Sequence, residues 1–334
     1  MSEIKVNNIQ SSSGANGPVV SGITTMASSG AMSLPRGDTS YRGGRGRGLV
    51  AGGNNGATVD TIEYVTIATE GSSKDFGNLV VTDTAIASFS SSTRGLFAGG
   101  QNPNHNNTIQ YVTISTTGNA FDFGDLTVGR DFASGLSNSI RGYVCGGRSA
   151  SPATATKVVD VSTIATLGNS TSFGELISNR LYYPSCFANT TRGICGGEAP
   201  TKTKDIEFFT LTTTGTSQDF GNLTENTGGA GCSNNVRGLF GGGYNPGICN
   251  VITYTTIASL GDTIDFGDLI TSRRGLGACA SPSRGLFSGG ANPANRNEIE
   301  FVNIASTGNA SDFGDLLASL KNKTSCSDSH GGIG

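Results

Sequence analysis

Variants of the heptapeptide Arg94-Gly95-Leu96-Phe97-Ala98-Gly99-Gly100 open six successive stretches of the chain, beginning at Arg47, Arg94, Arg141, Arg192, Arg237 and Arg284. The arginines stand 47, 47, 51, 45 and 47 residues apart. Each copy is followed by an apolar stretch such as Ile109-Gln110-Tyr111-Val112-Thr113-Ile114, and then by an Asp-Phe-Gly-Asp-Leu-like segment. A fixed period means that each unit is one supersecondary element that buries its apolar face only against its neighbours. A period of this length is in the range of propeller blades.

Each repeat reads as four strands, a to d in chain order. In the second copy strand a is Gly95–Gly99, apolar throughout as a central strand should be. Strand b is Thr108–Ser115, rich in β-branched and aromatic residues. Strand c is short, around Phe121–Leu126, and strand d is Phe132–Ser137, made of small residues. The b–c turn carries Gly71, Gly118, Gly168, Gly215, Gly261 or Gly308, which implies a positive φ there. Small residues suit the crowded axis of a ring, so the expected order from the axis outward is d, a, b, c.

These features resemble the kelch repeat: an inner strand, an apolar strand ending Gly-Gly, a strand holding an aromatic such as Tyr111, and a short outer strand. The chain lacks the Trp usual on the outer strand, and Phe76, Phe123, Phe173, Phe220, Phe266 and Phe313 stand in that place. The resemblance implies an all-β fold, a six-bladed kelch-like β-propeller over residues 47–334 preceded by an extended N-terminal arm, 1–46. The first repeat lacks a d strand before it and the last has no a strand after its own. Ser319–Asp328 is therefore expected to pair with Arg47–Gly53 and close the ring, leaving no lone edge.

The signals for chemistry are weak. Asp122-Phe123-Gly124 has the letters of a kinase magnesium motif, but it recurs without a glycine-rich or catalytic loop and reads as structure. Asp75, Asp122, Asp219, Asp265 and Asp312 are expected to pair with Arg47, Arg94, Arg141, Arg237 and Arg284. Cys186, Cys232, Cys279 and Cys326 recur in d strands of different blades, too far apart to share one ion, and Cys145 and Cys195 suit packing in strand a. The absence of a CxxC pair argues against zinc and against a disulfide framework. Two histidines, His105 and His330, in different elements leave no basis for a nucleophilic triad. The reading is of a protein that is not an enzyme and holds no metal or cofactor.

Charged residues make up 14% of the chain and the net charge is −3, so neither nucleic acid nor an anionic membrane is an expected partner. The arginines of Arg42-Gly43-Gly44-Arg45-Gly46-Arg47 lack the aromatic interleaving of a nucleic-acid-binding tract and read as a hinge. No apolar run reaches the length of a membrane span, and the first residues do not form a secretory leader.

The b–c connections are constant in length, whereas the a–b loops vary and the third is three residues longer. Recognition is therefore expected on the a–b face, through Asn102, Asn104, His105, Asn106, Arg148, Tyr244, Asn245 and Asn292. The segments Ser2–Gln10 and Gly17–Met26 resemble the N-termini of virion structural proteins from tailed phages of marine bacteria, cyanobacteria included. That resemblance implies an arm docking on other virion proteins, with Ile4, Val6, Ile9, Val19, Val20 and Ile23 as docking residues. It also implies a propeller displayed outward from a tail fibre or other host-attachment component, present in several copies and facing a cell-surface glycan or protein. The protein would be assembled in the host cytoplasm and reside in the virion. A capsid-surface decoration protein, or an intracellular kelch-like adaptor, is the alternative.

Overall fold

The computed structural model describes residues 19–20, 24–26, 32–33, 46–149, 154–180, 182–197, 204–224, 229–243 and 247–333. The described chain is all-β, with small antiparallel sheets in a propeller-like arrangement. Five sheets have four strands each. In the second repeat they run Ala87–Ser90, Arg94–Ala98, Thr108–Thr113 and Phe121–Asp125 in spatial sequence, which is the d, a, b, c order expected. The third repeat keeps this order within a seven-stranded sheet. Its additions are Arg130–Asp131 and Arg148–Ser149 at one end of the long strand Thr154–Thr163, and Gly215–Thr216 parallel to the outer strand Thr171–Arg180. Inner strands are shorter than expected: the third begins at Ser134, because Phe132 turns the chain with φ 53°. Near the N-terminus, Val19–Val20, Thr24–Met26 and Met32–Ser33 form a separate three-stranded sheet, so the arm is not simply extended there.

The inner strands touch one another in a closed circle. Ser134–Ser137 lies between Ala87–Ser90 and Ser185–Ala188, and Thr324–Ser327 lies between Gly277–Ala280 and Ala87–Ser90. Thr324–Ser327 also pairs antiparallel with Arg47–Ala51, Thr324 opposite Ala51 and Ser327 opposite Gly48. The first sheet is thus built from both ends of the ring, as the missing strands required.

The core lies between neighbouring sheets. Leu49, Ile62 and Phe76 of the first sheet pack with Phe97, Val112 and Ile114 of the second. Phe89, Leu96 and Phe123 pack with Val144 and Ile164 of the third. The phenylalanines in place of Trp are buried, and most meet an aromatic of strand b edge-on, as Phe76 meets Tyr64 at 6.1 Å.

The repeated arginines do not pair with the outer-strand aspartates as expected. Arg94 lies 4.8 Å over the Tyr111 ring, and its Nη1 donates to the Ile164 carbonyl of the next sheet at 2.9 Å. Arg47, Arg192, Arg237 and Arg284 repeat both contacts, with Arg284 reaching Ile67 across the closure. A carbonyl at the end of a buried strand needs a donor, whereas Asp75 and Asp122 are exposed and already solvated. The aspartates instead begin an outer-strand bulge completed by the glycine of Phe-Gly. That glycine abuts the next sheet's b–c turn. A Cβ on Gly77 would lie 2.4 Å from the Gly118 carbonyl oxygen, while the Gly118 N–H donates to the Phe76 carbonyl at 2.7 Å. Equivalent contacts run round the outside as a belt and end with Gly71 donating to Phe313.

A second set of contacts ties the sheets from within. The middle of strand b carries Glu63, Gln110, Asp160, Glu207, Thr253 or Glu300, all buried. Four of these carboxylates meet a buried base: Glu63 with Lys323 at 2.7 Å, Asp160 with Arg130 at 3.1 Å, Glu207 with Arg180 at 2.6 Å and Glu300 with Arg273 at 3.0 Å. They also accept backbone N–H groups from the end of the preceding sheet's outer strand or just beyond it, as Glu207 does from Ile177 at 2.6 Å. Asp83, at the end of the first sheet's outer strand, stands where the base is Arg130, Arg180, Arg273 or Lys323 elsewhere, and the strand-b residue of the second sheet at that junction is the neutral Gln110, which avoids two buried like charges.

Candidate binding site at the channel mouth

The inner strands surround a narrow channel, and its two ends are built differently. At the end where the inner strands finish, the turn Gly331–Ile333 lies across Ser134–Ser137, Ser185–Ala188 and Ala230–Ser233. His330 Nε2 donates to the Ser90 carbonyl at 3.0 Å, since its Nδ1 accepts from the Gly332 N–H at 3.1 Å. Burial lowers the His330 pKa to about 4, so the ring is neutral near pH 7.

The opposite end is the a–b loop face. There the chain enters five of the inner strands through a left-handed residue: Ala85, Phe132, Tyr183 and Asn322 have φ between 53° and 57°, and Gly275 has φ 62°. Their backbones are linked around the mouth. Phe132 N–H donates to the Ala85 carbonyl at 2.8 Å, Ala85 to Asn322 at 3.2 Å, and Asn322 to Gly275 at 2.8 Å. Tyr183 reaches over the opening and bonds Asn322 Oδ1 through its hydroxyl at 2.7 Å. Beneath this collar is a cavity of about 80 Å³, lined mostly by small residues, Ser88, Ser134 and Ser325 among them, together with Phe132, Tyr183, Leu276 and Lys323.

Beside the collar, loops of two neighbouring repeats converge on the buried Asp131. The longer third loop adds the strand Arg148–Ser149, and Arg148 grips both carboxylate oxygens, Nε to Oδ1 at 2.9 Å and Nη2 to Oδ2. That hydrogen bonding raises the Arg148 pKa further. His105 Nδ1 stands 3.4 Å from Asp131, and Gln101 Oε1 accepts from Arg148 at 2.9 Å. The guanidinium also covers the Phe132 and Tyr182 rings at 5.3 and 5.4 Å. Asn106 Nδ2 donates to Asp83 at 2.8 Å, and Asn102 Nδ2 to the Thr82 carbonyl at 2.7 Å. Burial raises the Asp83 pKa to about 6.

Of the loop residues singled out in the sequence, His105 and Arg148 therefore meet on one carboxylate, with Asn106 and Asn102 anchored nearby. Asn104 is exposed at the loop tip, and Asn292 is held in the last repeat, where its N–H donates to the Ala294 carbonyl. Tyr244 and Asn245 lie outside the described residues, as do Ile4, Val6, Ile9 and Ile23; Val19 and Val20 form a strand pairing with Thr24 and Thr25. Sequence reasoning missed Asp131, Phe132, Tyr182 and Tyr183. The available signal was positional: nine residues before the repeat arginine the chain has Gly228 and Gly275 in two repeats, but Phe132 and Tyr183 in two others.

The seven cysteines are free thiols and all buried. Burial pushes the Cys279 thiol up to about 12, and Cys186 Sγ stands 2.7 Å from Cys195 Sγ in the adjoining strand. Among the described residues no group of three or more His, Cys, Asp or Glu is placed to hold a metal ion, and no helix is long and apolar enough to cross a membrane. No protein-family model matches the chain, and no curated protein sequence matches it.

Proposed function

We propose that this chain is a non-enzymatic structural protein of a tailed-phage virion, a tail-fibre or tail-associated host-attachment component. We read the seven-stranded sheet as a blade with added strands, which makes the ring a six-bladed kelch-like propeller. The observation that carries the binding role is the asymmetry of the channel. One end is occupied by His330 and the Gly331–Ile333 turn, whereas the other gathers Arg148, His105, Tyr182 and Tyr183 from variable loops and inner-strand entries. Recognition side chains on loops held by a rigid ring suit attachment. The N-terminal segments support the virion setting through their resemblance to phage structural proteins, with the arm docking on neighbouring virion proteins. Several copies per particle raise weak single-site affinity by avidity.

The test is deletion of residues 2–40. The armless protein should fold as a ring but fail to enter particles, while substitutions at His105 and Arg148 should leave incorporation intact and reduce adsorption to cells. Normal incorporation without the arm would remove the basis for this reading.

A further inference from the structure

Left-handed φ is cheap for glycine and costs other residues on the order of 1 kcal/mol or more. Gly275 shows that this collar is built with glycine where nothing else is required of it. Phe132 and Tyr183 adopt the same backbone with large aromatic side chains, and neither ring is fully buried. The two rings stand 4.9 Å apart, and Tyr182 stands 4.8 Å from Phe132, each pair edge to face. Strained aromatics gathered at an opening are not explained by core packing, because the cores lie between the sheets.

The polar groups around these rings narrow the chemistry. Asp131 is neutralised by Arg148, and Lys323 below the collar by Glu63. Charge at the mouth is thus spent internally, and an ionic ligand would meet no uncommitted counter-charge in these pairs. The Tyr183 hydroxyl, the Asn322 amide and serine hydroxyls in the cavity are neutral groups that donate and accept. A ligand matched to this mouth has an apolar face to lie on aromatic rings and an edge of hydroxyls.

We propose that the collar binds an uncharged saccharide, its C–H face against Phe132, Tyr182 and Tyr183 and its hydroxyls directed to Asn322 and the cavity beneath. This names a ligand class for the attachment reading and rests on it. Sugar binding by the purified protein and incorporation into particles fail independently, so the two are separable.

The experiment is ligand-observed NMR on the full chain with methyl α-glucoside, methyl β-galactoside and N-acetylglucosamine, and with N-acetylneuraminic acid as the charged comparator. At least one neutral sugar should bind more tightly than the charged one. The double variant Phe132→Gly, Tyr183→Gly removes the rings and relieves the backbone, so it should melt no lower than the wild type while weakening binding about tenfold or more. Tyr182→Ala, whose backbone needs no such relief, should weaken binding in the same direction and serves if the double variant does not fold. Failure of every neutral sugar to bind, equal or tighter binding of the charged one, or full binding by the folded variants overturns the proposal.

Discussion

The Tyr143 hydroxyl donates to the Leu211 carbonyl, in the place where other repeats use their opening arginine. Strand b of that sheet has Val161 where Tyr64, Tyr111, Phe208, Tyr254 and Phe301 stand elsewhere, so Arg141 has no ring to lie on. Tyr143 replaces the usual Leu or Ile of strand a and packs on Phe173 at 4.9 Å. Tyr143→Phe should cost about 1–3 kcal/mol in urea denaturation by leaving a buried carbonyl unpaired. Tyr143→Leu combined with Val161→Tyr restores the arrangement of the other repeats and should recover most of the loss.

Breaking one internal ion pair should be severe. Arg180→Met leaves Glu207 buried without its base, at an expected cost of about 3–5 kcal/mol. Adding Glu207→Gln removes the stranded charge while keeping an acceptor for the Ile177 and Ser178 N–H groups, and should recover part of it. The midpoints of denaturation of the single and double variants measure both effects.

Two glycines in the outer belt separate backbone strain from steric closeness. Gly118 has φ 154° with open space beyond it, so Gly118→Ala should cost about 1–3 kcal/mol from conformation alone. Gly124 has φ 145°, and its added Cβ would lie 2.5 Å from the Gly168 carbonyl group. Gly124→Ala should therefore lose at least about 1 kcal/mol more, through separation of adjacent sheets. Equal losses would show that the belt contact yields freely.

Acid titration should expose two opposed groups. Asp83 has its pKa raised from 3.8 to about 6, so the folded state keeps a proton that the unfolded chain has released. Its contribution is complete below pH 3.8 and declines as pH rises to about 6, by about 3 kcal/mol. His330 is lowered from 6.5 to about 4, so its contribution is complete above pH 6.5 and is lost as pH falls, by about 3 kcal/mol. Relative to wild type, Asp83→Asn should make stability fall more steeply on acidification and His330→Gln less steeply. Urea melts across this window read both slopes.

What repeats in the sequence was readable, because each feature appears several times against a varying background. Strand order, the positive φ at Gly118 and its equivalents, and pairing of Thr324–Ser327 with Arg47–Ala51 belong to this class. Partners set by the offset between neighbouring sheets were not readable. Arg94 and Asp122 lie within one repeat, yet Arg94 bonds Ile164 of the next. The added strands of the third sheet were visible only as three extra loop residues, which turn out to place Arg148 on Asp131. Buried charges such as Glu207 were hidden inside an apolar strand, where a single polar letter gives no partner.

The pairing that closes the ring also sets how the molecule bears a load. Ser327 lies opposite Gly48 and Thr324 opposite Ala51, so the strands leave the pair at the same end. A pull between Gly46 and Asp328 would peel this four-residue seam one bond at a time instead of shearing all its bonds together. A pull between Gly46 and the loop face would instead be shared by the neighbouring strands and the outer belt. In the proposed arrangement, with the arm docked and a ligand at the channel mouth, the propeller would be loaded along its resistant direction and spared along the weak one.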